Sequence, residues 1–252
     1  MVNLVEAQKP LLHFLIRRAG LRQHTVDVDG AGTALTFWVP KDKLPKDKST
    51  VCEITPEAAA PASKKKSKTK AKAPRPSVVL VHGFAAEGIV TWQFQAGVLA
   101  KHYDVYIPDL LYFGGSTSSA ELLLPDSVKG LKALLSIVAH RKLWFPERLH
   151  RDYLQVMFTN RKERAELLEG LVVSNKDATV PVLPQKILLL WGHNDNIFNI
   201  ELARTMKEQL GEETMLQSID KAGHLVHLER PCVYNRRLLE FLAYVTAEAS
   251  KE

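Results

Sequence analysis

SVVLVHGF, residues Ser77 to Phe84, is an unbroken run of β-branched and apolar residues that stops at a histidine and a glycine. A run of this kind reads as a strand buried on both faces of a parallel sheet. The glycine behind it lets the backbone turn sharply at the strand's carboxyl end, where open α/β sheets place their ligands. A helix is predicted over Thr91 to His102, then a second strand, YDVYIPDL, Tyr103 to Leu110. Strand, helix and strand in that rhythm imply a parallel α/β sheet. Later in the chain KILLLWG, Lys186 to Gly192, repeats the two-face-buried pattern, and TMLQSID, Thr214 to Asp220, adds another strand before a helix starting near Pro231. Upstream, Thr25 to Val39 alternates in strand fashion about Asp29-Gly30-Ala31-Gly32, which predicts a hairpin.

Composition bounds the rest. A chain of 252 residues, 46% of them apolar, suits one sizeable domain. The net charge of +6 does not point to nucleic acid, because residues 41–77 alone hold 11 Lys+Arg against 4 Asp+Glu. That leaves 23 basic and 24 acidic residues for the remainder, so the folded body is near neutral. Residues 40–76 contain six of the 13 prolines and the run KKKSKTKAK, Lys64 to Lys72. Such a composition buries too little apolar surface to order itself and predicts a disordered insertion. No aromatic residue is interleaved with the lysines, as base stacking would require, so no nucleic-acid partner is expected. The run could serve instead as a nuclear address. Cys52 and Cys232 make neither a disulfide framework nor a metal site, and a reducing, cytoplasmic setting fits. No metal or cofactor is expected.

At the N-terminus an apolar run, Leu11 to Ile16, has Glu6 and Lys9 before it and Arg17 and Arg18 after it. That charge order is wrong for a signal peptide, and the run is too short to span a bilayer. An amphipathic helix packed on the body is expected, with peripheral membrane contact as the sharper alternative. After Ser118, SAELLLPDSVKGLKALLSIVAH and PERLHRDYLQVMFTNRKERAELLEGLVVS carry apolar residues at three- and four-residue spacing, the mark of amphipathic helices.

Taken in order, a strand ending in HGF, a helix holding Trp92, a strand ending in Asp109 and a Gly-rich turn at Ser116 make up the first half of a set. G-H-N-D at Gly192 to Asp195 and G-H-L-V-H-L-E-R-P from Gly223 complete it. Together these motifs resemble the α/β-hydrolase fold family, particularly its plant members with a helical cap. The resemblance covers about residues 1–40 and 77–250. It implies a mostly parallel sheet with a helical cap, and hydrolysis of ester, or amide or epoxide, bonds in small apolar substrates. It assigns Asp195 as the acid, His224 as the general base, and the backbone at Gly83 and Phe84 as one side of an oxyanion hole. Read without the family, Asp195 would be a helix cap and His224 a turn residue; His227 reads as packing within its loop.

The family's nucleophile is the part that does not appear. No Gly-x-Ser-x-Gly stands before Asp195; of the 12 serines only Ser116 has a glycine two positions earlier, and Ser118 occupies the place of the second glycine. Cys52 and Cys232 follow Thr50 and Arg230 at that offset and fill no elbow either. The chain passes from the Gly-rich turn directly into the cap, as though a helix, strand, helix and strand of roughly 55 residues were deleted. The expected layout is therefore an N-terminal helix and hairpin in 1–40, the insertion in 41–76, and the first half of the core in 77–118. The cap follows in 119–180 and the second half of the core in 181–252. Without the central elbow strand, the strand at 78–82 must pair with that at 186–191 or leave two open edges, with self-association as the consequence. Two other readings stand beside an impaired hydrolase: a non-catalytic, receptor-like binder of a small apolar ester-like ligand, and a truncated isoform without function.

Overall fold

The computed structural model describes residues 3–27, 34–44, 75–83, 86–109, 125–141, 144–171 and 183–250. Helix α1 (Leu4–Arg18) starts at Asn3, whose side chain accepts from the amides of Val5 and Glu6, and ends on Arg17 and Arg18. Both ends match the helix dipole, and the cap supplies partners for two otherwise orphaned amides. The chain then forms the predicted hairpin, β1 (Leu21–Asp27) against β2 (Ala34–Pro40), antiparallel with Leu21 opposite Pro40. Its turn at 28–33 lies outside the described residues. β2 continues antiparallel onto β4 (Asp104–Pro108), and β4 pairs in parallel with β3 (Ser77–Val79). A second, two-stranded piece joins β5 (Ile187–Gly192) in parallel with β6 (Thr214–Ile219).

Among the described residues the strand orders are β1-β2-β4-β3 and β5-β6, and no ladder joins β3 to β5. A strand flanked by helices on both faces should be covered on both, yet Leu80 and His82 are buried while Val79 and Val81 are 60% and 54% exposed. The two-face burial expected of 78–82 is thus corrected to one face. β5 is half-buried from Ile187 to Trp191 and fully buried only at Gly192.

The predicted helix over Thr91–His102 is also corrected. It is two short helices, α2 (Gly88–Thr91) and α3 (Ala96–Leu99), separated by a turn. The break places Gln95 at 0% exposure, where its side-chain nitrogen donates to the carbonyl of His227 and to Asn235 Oδ1. A buried amide needs such partners, and a continuous helix would have to find them elsewhere. Of the segment expected as an insertion, Lys41–Lys43 is a 3₁₀ turn and residues 45–74 lie outside the described residues. Its two ends meet at the buried carboxylate of Asp104, 3.3 Å from Lys43 Nζ and 2.9 Å from an Arg75 guanidinium nitrogen.

Three helices follow in the chain: α4 (Val128–Val138), α5 (Glu147–Met157) and α6 (Arg161–Leu171). A core cluster of Val5, Leu131, Leu134, Val138, Met157 and Phe158 joins α1 to α4 and α5, with Ile197 and Leu225 from the second sheet piece packed against it. α7 (Ile200–Leu210), α8 (Val226–Glu229) and α9 (Pro231–Glu248) complete the described elements. Leu238, Leu239 and Leu242 of α9 pack on the first sheet's core, around Trp38 and Leu80, and hold the two pieces together. At about 25 cal/mol per Å² of buried apolar surface, contacts of this kind stabilise the packing of the two pieces.

Candidate active site

Asp195 lies just beyond β5, after a turn that β5's last residue starts; its amide donates to the carbonyl of Gly192. Its carboxylate is buried and fully used. Oδ1 accepts from the amides of Ile197 at 2.8 Å and Phe198 at 3.0 Å, and Oδ2 lies 3.0 Å from His224 Nδ1. Asp195 therefore caps its own loop and holds the histidine at once; the cap of α7 belongs to Asn199, whose side chain accepts from Leu202 N. With an ionised carboxylate at Nδ1, only the tautomer protonated there can donate to it, which leaves the Nε2 lone pair free to accept a proton. The His224 side chain is 35% exposed against 5% for Asp195, so the base is reachable and the acid is not.

The loop carrying His224 is hung on two neighbours. The amide of His224 donates to Val138 O at the end of α4. Glu229 accepts from the amides of Gly223 and His140 through its two carboxylate oxygens. Two glycines permit this approach. A Cβ on Gly192 would sit 2.1 Å from Gly223 O, and one on Gly223 would sit 2.7 Å from Val138 O. Backbone stitches between the acid and base loops, Asn194 N to Ala222 O and His193 N to Ile219 O, fix the distance between them. The edge of the Phe198 ring meets the imidazole at 5.5 Å between centroids.

His224 and Gly83 line one cavity of about 210 Å³, closed by apolar side chains of α4, α5 and the His224 loop. A second cavity of about 320 Å³ shares Val90, Leu131, Leu135, Tyr153, Leu225 and Leu228 with it and extends beneath α1 to Val5, Gln8 and Leu12. The two adjoin through these shared side chains, and the imidazole lines the smaller of them. Phe84 and Ser116 lie outside the described residues. Among the described residues, the one side-chain hydrogen bond of His224 is to Asp195. Of the two hydroxyl-bearing residues on the cavity wall, Thr91 and Tyr153, Thr91 donates to Ala86 O.

The sequence reading gave no role to Glu229, which ties the base loop to the end of α4, or to Asp109, whose carboxylate accepts from Gly88 N at 2.8 Å and lies 3.9 Å from His82 Nε2, and it did not find the two cavities. Glu229 had a signal, since it follows His224 at a fixed short spacing in the same motif. The cavities had none, because their walls come from six separate stretches of chain.

His227, read as packing, sits between Trp92 and Tyr234, at 5.2 Å and 6.0 Å between ring centroids. Burial, with His224 nearby, pushes its pKa down to about 4. The unfolded chain thus takes up its proton first, at the ordinary value near 6.5. The neutral ring's contribution to stability is whole above pH 6.5 and is lost as pH falls toward 4. Between pH 7 and pH 5 this group should cost about 2 kcal/mol of unfolding free energy. Urea titrations at the two pH values, compared with His227→Gln, check it; an equal pH dependence in both proteins would refute the assignment.

No protein-family model matches the sequence, and no curated protein does. Solved structures do. A "putative lipase" from Acinetobacter baumannii superposes with a TM-score of 0.70 at 15% identity, over 95% of this chain and 97% of that one. A bacterial membrane phospholipase A gives 0.67 at 17%, over 96% and 91%. A carboxylesterase from Bacillus subtilis gives 0.54 at 12%, over 94% and 98%. The chain has the α/β-hydrolase fold.

Proposed function

We propose that this chain carries the acid–base half of an ester-hydrolase site at the inner end of an apolar channel. It binds small apolar ester-like ligands there, and turnover is strongly impaired for want of a nucleophile. The observation that carries the reading is the 3.0 Å bond from buried Asp195 to His224 on the wall of that channel. A carboxylate in this position fixes the imidazole tautomer and stabilises the imidazolium that forms on proton uptake. Gly83 on the same wall suits one side of an oxyanion hole, with Phe84 next in sequence. Amide or epoxide substrates would use the same two side chains. The structural neighbours named lipase, phospholipase and carboxylesterase support an ester as the substrate class.

A receptor-like binder without chemistry is the second reading, favoured by the apolar cavities beside a base whose one side-chain hydrogen bond among the described residues is to Asp195. Both readings require saturable binding. Equilibrium dialysis with radiolabelled methyl octanoate should find one site per chain, lost when Leu135→Trp fills the shared wall. Absence of saturable binding, or binding indifferent to that substitution, would leave only the truncated, functionless isoform.

Self-association belongs to the same proposal, because β3 has a ladder partner on one side only among the described residues and exposes Val79 and Val81. An edge of this kind is a template for another strand. Sedimentation should show concentration-dependent oligomers; a monodisperse monomer would mean the edge is covered. A cytoplasmic setting fits the exposed free thiol of Cys232, and nuclear entry through Lys64–Lys72 remains its alternative. No helix of the described residues is long and apolar enough to cross a membrane.

A further inference from the structure

α1 has two working faces. Val5, Lys9 and Leu12 turn inward and line the outer cavity of the channel. Leu4, Leu11, Phe14 and Leu15 turn outward and are 37%, 58%, 57% and 49% exposed. With exposed Ala7 and Arg18 these positions recur at three- and four-residue intervals, so they form one stripe along the helix. A packed helix has no use for a second apolar stripe that faces water, and single exposed leucines elsewhere on a surface do not line up in this way.

Three observations say what covers it. The stripe ends on two exposed arginines, Arg17 and Arg18, with no acidic residue in that turn, which is the charge pattern of a helix lying on an anionic lipid surface. Trp144 is 85% exposed, and its neighbour Phe145 lines the same outer cavity as Leu12; aromatic side chains in such positions favour the headgroup level of a bilayer. The inward face of α1 lines the outer cavity through Val5, Lys9 and Leu12, and that cavity adjoins the one lined by His224 through six shared residues, so the helix that would meet a bilayer also walls the route to the imidazole.

We propose that the outer stripe of α1 and the Trp144–Phe145 segment form a docking surface for an anionic phospholipid bilayer, and that the cavity beneath α1 is the port through which an apolar ligand passes from that bilayer to the channel. The port half of this proposal rests on the ligand-binding reading given above; the docking half does not. α1 is held ready for it, because Leu4 N donates to buried Asp152 at 2.7 Å and Asn3 bonds the Asp152 carbonyl and Gln155, clamping the start of the helix to α5.

The test uses the full chain and vesicles of phosphatidylcholine with and without phosphatidylserine. The protein should float with the mixed vesicles and much less with phosphatidylcholine alone. Brominated lipid should quench its fluorescence, and Trp144→Phe should remove that quenching. Arg17→Gln with Arg18→Gln should weaken binding on the order of tenfold to thirtyfold. Leu11→Glu with Phe14→Glu should abolish it while the thermal transition and dialysis binding of methyl octanoate stay unchanged, since both positions face solvent. Failure of the wild-type chain to float, or flotation that ignores the Leu11 and Phe14 changes, overturns the docking surface. A dimer dissolved by those changes would assign the face to a second copy and overturn it equally. If vesicles bind but methyl octanoate does not, the channel reading fails and the docking surface stands without its port.

Discussion

Treated with an activated ester, the chain should release product without a burst, and a fluorophosphonate should leave no covalent adduct. Loss of the serine alone from a hydrolase triad costs about a millionfold in turnover, because the histidine then has no hydroxyl to deprotonate. The residue that survives such a loss, roughly 10³ to 10⁴ over water, comes from the oxyanion hole and substrate binding. Half of that hole would be supplied by the residue after the nucleophile, so even this remainder should shrink. His224→Ala should accordingly change little in the chain as it stands, which separates this prediction from a merely slow enzyme. Inserting a helix, strand and elbow after Ser118 should restore both burst and adduct and make them depend on His224. An adduct at Ser116 in the unaltered chain would overturn the reading outright, since it would reveal a rebuilt nucleophile served by Asp195 and His224.

Gly192→Ala should be among the most damaging single substitutions in the chain. The added Cβ would lie 2.1 Å from Gly223 O and 2.7 Å from Ala222 O, and both are backbone atoms on the loop that carries His224. Neither can swing aside as a side chain could, so β5 and the loop must part. Overpacking of this kind costs about 1–3 kcal/mol, and a backbone obstacle places it at or above the upper end. The His224 Nδ1 proton resonance, held by Asp195, should vanish in the same variant. Gly97→Ala is the control: no atom lies within 4 Å of its Cβ position, and in a helix the change should be neutral or stabilising by up to about 1 kcal/mol. Equal stability of Gly192→Ala and the wild type would mean that the two loops are not packed as described.

What could be read from the sequence was what is encoded locally. The hairpin is legible because period-two alternation and a Gly-rich turn sit within a few residues of each other, and α9 because Pro231 stands at a first-turn position where its missing N–H costs nothing. Asp195 and His224 were singled out from two separate motifs; the sequence could not supply the 3.0 Å between them, which depends on the stitches from Asn194 to Ala222 and on Gly192 and Gly223. The break between α2 and α3 was illegible because its cause lies far away, at His227 and Asn235, to which Gln95 donates. The one-sided burial of β3 was missed for a related reason. Val79 and Val81 look like core residues by composition, yet they are 60% and 54% exposed, because what packs on a strand's face is set by distant chain.

The clamp between Leu4 and Asp152 also sets a timetable. The two residues are 148 apart in sequence, and a ribosome adding 5–20 residues per second needs about 7 to 30 s to cover that distance. For all of that time the first helix has emerged and the helix that anchors it has not. Its inner and outer apolar faces are then exposed together, so the nascent chain is stickier at its N-terminus than the finished protein. Whatever receives α1 during those seconds, a chaperone or a lipid surface, meets it before the cap exists to compete.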